Sequence, residues 1–153
     1  MSLPIVRASV RQVVETTYHD SDLSPAAGAA KRMREGAIAH KARQSEGAKR
    51  ETAYLAEQML SADYKADTLT LHVSGRVDGL FTRGDGVTVV EEIKLGEKGN
   101  PLIPAHRAQA AMYGHMLCTR DGLSGVGLRI LYVNERGEGV ACYEEDADAQ
   151  TLE

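Results

Sequence analysis

The chain has 153 residues, 42% hydrophobic and 26% charged, which is the size and make-up of one globular domain, 1–153, with a core of its own. With no Trp and one Phe the core has to be mostly aliphatic, and no apolar run approaches the ~20 residues that span a bilayer, which sets aside a helical membrane protein and a membrane partner. The net charge of −4 is unevenly placed: the stretch 31–50 carries a net +5 and the stretch 135–153 a net −6, a pattern that fits either a solvated basic helix face or one side of an acidic protein that can hold a polyanion.

The start, "MSLPIVRASVRQ", lacks an apolar segment of signal-peptide length. Cys118 and Cys142 stand far apart outside any CxxC pattern and read as reduced, buried thiols of a cytoplasmic protein. Val10, Val13 and Val14 recur at helical spacing over 9–19. Ser24-Pro25 fits an N-cap followed by Pro at the first helical position, and the Ala-rich, charged run after it predicts a helix over 25–47. The stretches 54–64 and 67–74 read as strands, the second from the alternating Leu69, Leu71 and Val73. Two more strands, 75–83 and 87–95, join at "GDG". "GEKGNPLIP" is a loop, "AHRAQAAMYGHMLCTRDG" a helix closed by Gly122, and "VGLRILYVNE" with "GVACYEE" a final hairpin. Of the other histidines, His19, His72, His106 and His115 carry no motif, and alternation points His72 outward.

The hairpin of 75–95 brings acids into an otherwise apolar pattern. A three-residue turn centred on Asp85 places Asp78 opposite Glu92 across the ladder, with Cα atoms ~5 Å apart. Period two then sets Glu92 and Lys94 on one face and Glu91, Ile93 and Leu95 on the other. Two carboxylates so close call for a cation between them; Mg²⁺ takes hard oxygen ligands, often one or two carboxylates completed by water and phosphate. The same pattern also fits a cross-strand ion pair on a wet sheet face.

These residues resemble a known family. "GRVDG" followed by "VVEEIK" is similar to the D-x(n)-(D/E)-x-K core of the PD-(D/E)XK nucleases. "EGAIAHK" matches the G-x-x-x-H motif of their RecB-type branch at Gly36 and His40, and "AHRAQAAMYGHML" matches its Q-x-x-x-Y motif at Gln109 and Tyr113. More narrowly, "SVRQVVE", "EEIKL" and "LRILYVNE" resemble the nuclease domain that precedes DinG-like helicases. The resemblance implies an α/β fold of restriction-endonuclease type, a central mixed β-sheet flanked by helices. It implies an Mg²⁺- or Mn²⁺-dependent deoxyribonuclease, an exonuclease or structure-specific nuclease of DNA repair and recombination. Asp78, Glu92 and Lys94 would be catalytic; His40, Asp78, Glu92 and the Ile93 carbonyl would hold metal. Gln109 and Tyr113, with Lys41 and Arg43 from the basic run, would contact DNA, and a helicase would be partner or fused neighbour. Glu57 fits a recurrent acid of the family. Two cysteines fall short of the four that an iron–sulfur cluster takes in related nucleases. The alternative on the same fold is a catalytically inactive nucleic-acid-binding module or helicase accessory domain.

Overall fold

The computed structural model describes residues 2–18 and 29–152. The elements are β1 (Ile5–Ser9), α1 (Val10–Thr17), α2 (Ala29–Arg50), β2 (Thr52–Lys65), β3 (Thr70–Thr82), β4 (Thr88–Leu95), α3 (Pro104–Asp121), β5 (Gly125–Val133) and β6 (Gly139–Asp148). Together they form an α/β structure, one six-stranded mixed sheet flanked by helices, as the sequence predicts. Among the described residues no helix is long and apolar enough to cross a membrane.

Three details differ from the sequence reading. A short parallel strand, β1, precedes α1; its five residues show no alternation, and Ile5 and Val6 are exposed. The chain turns into α1 at Ser9, whose hydroxyl accepts from Gln12 N–H at 3.0 Å while the Gln12 carbonyl oxygen accepts from Ser9 N–H at 2.9 Å, a capping box. The two strands expected over 67–74 and 75–83 are one, β3: Gly75 is no break but a close approach, since a Cβ there would lie 2.6 Å from the Tyr113 hydroxyl. The Ser24-Pro25 cap falls outside the described residues. Cys118 is buried as expected, whereas Cys142 is exposed on edge strand β6; both are free thiols.

β3 organises the sheet. β2 runs antiparallel along one side of it, from Leu55↔Leu80 to Lys65↔Thr70. The other side is shared: β1 pairs parallel from Ile5↔Thr70 to Ser9↔Ser74, and β4 pairs antiparallel from Gly79↔Glu91 to Thr82↔Thr88. Between Ser74 and Gly79 that side of β3 pairs with neither, so the sheet forks there. β5 lies parallel to β4, and β6 closes the far edge. Helices α1 and α3 cover one face over the main core, including Val10, Val73, Val77, Val90, Met116, Leu128 and Ile130. Each such buried aliphatic side chain contributes about 1.5–3 kcal/mol. Helix α2 sits across the opposite face on a smaller cluster of Ala39, Ile93, Leu131 and Val133. Val90 belongs to one cluster and Ile93 to the other, so β4 is covered on both sides and both its faces are buried.

Candidate active site

The fork leaves backbone groups of β3 and β4 without ladder partners, and side chains supply them. Tyr113, from α3, donates its hydroxyl to the Arg76 carbonyl at 3.2 Å. The Asp78 carboxylate accepts from Ile93 N–H at 2.7 Å. Gln44, from α2, donates to the Asp78 carbonyl at 3.0 Å and to Glu57 Oε1 at 2.8 Å. Opposite Asp78, Glu57 of β2 takes a left-handed backbone (φ 57°), a strained state for a non-glycine residue. Here β3 also changes face, because Val77 and Leu80, three residues apart, both enter the α3-side core.

Of the predicted site residues, His40, Asp78, Glu92, Ile93 and Lys94 meet at this fork. The rung Gly79↔Glu91 is the register expected from the turn at Asp85, and it puts Asp78 and Glu92 one step beyond, where the strands part. His40 Nδ1 lies 3.6 Å from Asp78 Oδ1, and Lys94 Nζ lies 3.0 Å from Glu92 Oε1. Burial pushes the Asp78 carboxyl up to about 6, opposed by its bond from Ile93 and the charge of Lys94. Burial likewise raises Glu92 to about 7, against the pull of Lys94 and with the push of the Asp78 charge. His40 is held below its ordinary value by burial first and by Lys94 second, while the charge of Glu92 and a hydrogen bond with the Ile93 backbone act the other way. These mutual influences place His40, Asp78, Glu92, Lys94 and the Ile93 backbone in one neighbourhood.

One atom in it has no partner. Glu92 Oε2 is buried and makes no hydrogen bond, a state that costs about 1–3 kcal/mol or more for a charged group unless something satisfies it. Two buried carboxylates and a backbone carbonyl are hard oxygen donors of the kind Mg²⁺ and Mn²⁺ accept, and the His40 imidazole adds a softer nitrogen beside them. Among the described residues no three His, Cys, Asp or Glu side chains are grouped closely enough to hold a metal ion by themselves, His40, Asp78 and Glu92 included.

Two expected roles, those of Arg43 and Tyr113, need correction. Arg43 is only 9% exposed and its Nη2 bonds Glu91 Oε2 at 2.8 Å, so it is an interior ion-pair partner and not a displayed DNA contact. Lys41, two residues earlier, is exposed. Tyr113 is 5% exposed with its hydroxyl committed to Arg76; it braces the fork instead of meeting a ligand. Gln109, one turn earlier, is half-buried with a side-chain amide that bonds nothing among the described residues. As period two requires, Glu91 turns to the other face. There it is fully buried, bonded by Arg43, by Arg129 Nη1 at 3.2 Å and by the Tyr54 hydroxyl at 2.9 Å. The remaining histidines stand outside the fork: His72 pairs with Asp63 at 2.6 Å, His106 with the Tyr132 hydroxyl at 2.9 Å, and His115 stacks on Tyr64; His19 lies outside the described residues. The sequence reading missed Gln44, although it follows His40 by four residues and so extends the Gly36–His40 face by one turn.

No family model matches the chain and no curated protein does. Among solved structures it is similar to the crystal structure of SSO0001, with 18% identity and a TM-score of 0.63, covering 95% of this chain and 71% of that one. At that identity the likeness is one of fold.

Proposed function

We propose that this chain is a metal-dependent deoxyribonuclease of PD-(D/E)XK type, RecB-like branch, hydrolysing phosphodiester bonds. The observation that carries the reading is the fork: buried Asp78 and Glu92, one with an oxygen lacking any partner, flanked by Lys94 and His40. Asp78, Glu92, His40 and the Ile93 carbonyl would hold Mg²⁺ or Mn²⁺. The chemistry such an ion supplies is charge neutralisation on the phosphodiester and a lower pKa for water at the site. Asp78 is fixed for this by the Ile93 N–H, and Glu92 presents a bare oxygen. Lys94, three-quarters buried beside Glu92, is placed to orient the attacking water and to stabilise negative charge on the phosphate. Gln109, with a free amide, is the side chain of α3 left to hold the strand. No covalent intermediate is called for: attack by water needs none, and among the described residues no Ser or Cys side chain bonds His40, Asp78, Glu92 or Lys94.

The test is incubation with linear and circular, single- and double-stranded DNA in Mg²⁺ or Mn²⁺, alongside Asp78→Ala and Lys94→Ala. Cutting in either metal that both substitutions abolish supports the reading. Cutting that survives both sinks it, and so does a protein that binds neither ion.

A further inference from the structure

Helix α2 holds two interior glycines, and a helix interior disfavours glycine relative to alanine. Gly47 has a packing reason: a Cβ there would stand 2.7 Å from the Tyr54 ring. Gly36 has none among the described residues, of which nothing lies within 4 Å of where its Cβ would be. Gly36 sits four residues before His40 and four after Arg32, so the three share one face. At 1.5 Å per residue, Arg32 lies about 12 Å along the axis from His40. Around Arg32 opens a cleft of about 900 Å³, bounded by the end of β4 at Leu95 and Gly96, by Lys98 of the following loop and by Arg136 of the β5–β6 turn. Neither Arg32, Lys98 nor Arg136 forms an ion pair with any carboxylate of the described residues. Three acids, Glu97, Glu135 and Glu138, line the same cleft; they temper the attraction, so the cations direct a strand's path more than they capture it.

We propose that a single strand of DNA runs from the fork across the bare surface of Gly36 into this cleft, with its phosphates meeting Arg32 and Lys98. This rests on the nuclease reading, which puts the scissile phosphate at the His40 end. The distance from His40 to Arg32 is the span of roughly three to four stacked nucleotides at about 3.4 Å each. The cleft has the dimensions of a small-ligand pocket, roughly 300–1,000 Å³. A duplex, stiff over about 150 base pairs, does not bend from the fork into such a cleft over so short a path, whereas a single strand does. The glycine serves the contact: without a side chain the helix backbone lets the sugar–phosphate chain pass close to the fork, and the sequence accepts a weaker helix in return.

Fluorescence anisotropy of a labelled 12-mer single strand in EDTA, where no cutting competes, tests this. Gly36→Ala should raise Tm by about 2–4 °C and weaken strand binding about tenfold. The double variant Arg32→Ala/Lys98→Ala should weaken binding by a similar factor and flatten the salt dependence by about 1–1.5 in log–log slope. A blunt duplex of the same length should bind at least tenfold more weakly than the single strand. Equal affinity of duplex and strand overturns the proposal, as does wild-type binding by both variants. Strand binding that responds to these substitutions in a protein that never cuts in Mg²⁺ or Mn²⁺ removes the nuclease reading and keeps the groove. Cutting that ignores them removes the groove and keeps the nuclease.

Discussion

Glu91 and Glu92 are adjacent, chemically identical and both buried, yet the structure gives them opposite consequences on neutralisation. Glu91→Gln removes the charge that Arg43 Nη2 meets at 2.8 Å, Arg129 Nη1 at 3.2 Å and the Tyr54 hydroxyl at 2.9 Å. Breaking a buried pair costs about 3–5 kcal/mol. Arg129 keeps Glu51 at 2.9 Å and Glu144 at 2.7 Å, so the loss centres on Arg43, and about 2–4 kcal/mol is expected. At about 2–4 °C per kcal/mol for a chain of this length, Tm should fall by roughly 4–16 °C. Glu92→Gln removes a charge whose outer oxygen nothing satisfies. Its carboxyl is raised from 4.5 to about 7, so above pH 7 in the absence of metal the folded state carries an unwanted charge. Neutralising it should stabilise by roughly 1–3 kcal/mol at pH 8, after allowance for the partner lost by Lys94. At pH 5 Glu92 is already protonated and the gain should vanish. Calorimetric melts in EDTA at both pH values read all of this, and titration with Mn²⁺ should show metal binding retained by Glu91→Gln and lost by Glu92→Gln. If Glu92→Gln melts lower than wild type at pH 8 and still binds metal normally, Glu92 is a second structural acid and the site assignment fails.

Further expectations follow from the same geometry. Tyr113→Phe leaves the Arg76 carbonyl without its donor at the fork; it should cost about 1–2 kcal/mol, read as a fall in the urea midpoint, and an unchanged midpoint would show that water replaces the hydroxyl. Asp78 and Glu92 are both raised by burial, to about 6 and about 7. Their folded forms therefore bind protons more tightly than their unfolded ones, and metal-free stability should decline as pH rises from about 4.5 to 7 and level off above. Over the same window metal affinity should climb with proton release, seen by calorimetry in buffers of different ionisation enthalpy; pH-independent affinity between 5.5 and 8 contradicts it. Gly47→Ala should lower Tm, in contrast to Gly36→Ala, because its new methyl meets the Tyr54 ring; a rise would mean that Tyr54 moves freely.

What the sequence disclosed and what it hid separate along physical lines. The hairpin register was legible because a glycine-flanked turn and period-two alternation are local, and the rungs from Gly79↔Glu91 to Thr82↔Thr88 keep it, but the expected Asp78–Glu92 rung is not formed because the strands part before it. The motif residues His40, Asp78, Glu92 and Lys94 meet because three separate elements carry them to one opening. The roles of Arg43 and Tyr113 were not legible, since a basic residue in a charged helix looks solvated until a buried acid elsewhere, here Glu91, claims it. Tyr113 looks available until the sheet is seen to fork, and the fork depends on β1, a strand too short and too exposed to show any pattern. The left-handed turn at Glu57 likewise has no signature in residue type, because the strand that bends there must follow the bend of its partner.

Gln44 joins these parts, and its role can be separated from mere packing. It is 9% exposed, and its single Nε2 serves both the Asp78 carbonyl and Glu57 Oε1. It thereby ties α2, the helix that carries His40, to the two strands where they change direction. Gln44→Leu keeps the volume and removes the donor, leaving a buried carbonyl unsatisfied at about 1–3 kcal/mol. Gln44→Glu should be worse, since it also sets a second carboxylate against Glu57. Residues one step removed from a metal typically change its affinity by about 10–100-fold, so Gln44→Leu should weaken Mn²⁺ binding in that range, and Gln44→Asn, a shorter donor, should restore part of it. A core residue of no further consequence would lower Tm and leave metal affinity untouched in all three. That outcome would make the link between α2 and the fork a matter of stability alone, and Asp78 would owe its position only to the Ile93 N–H.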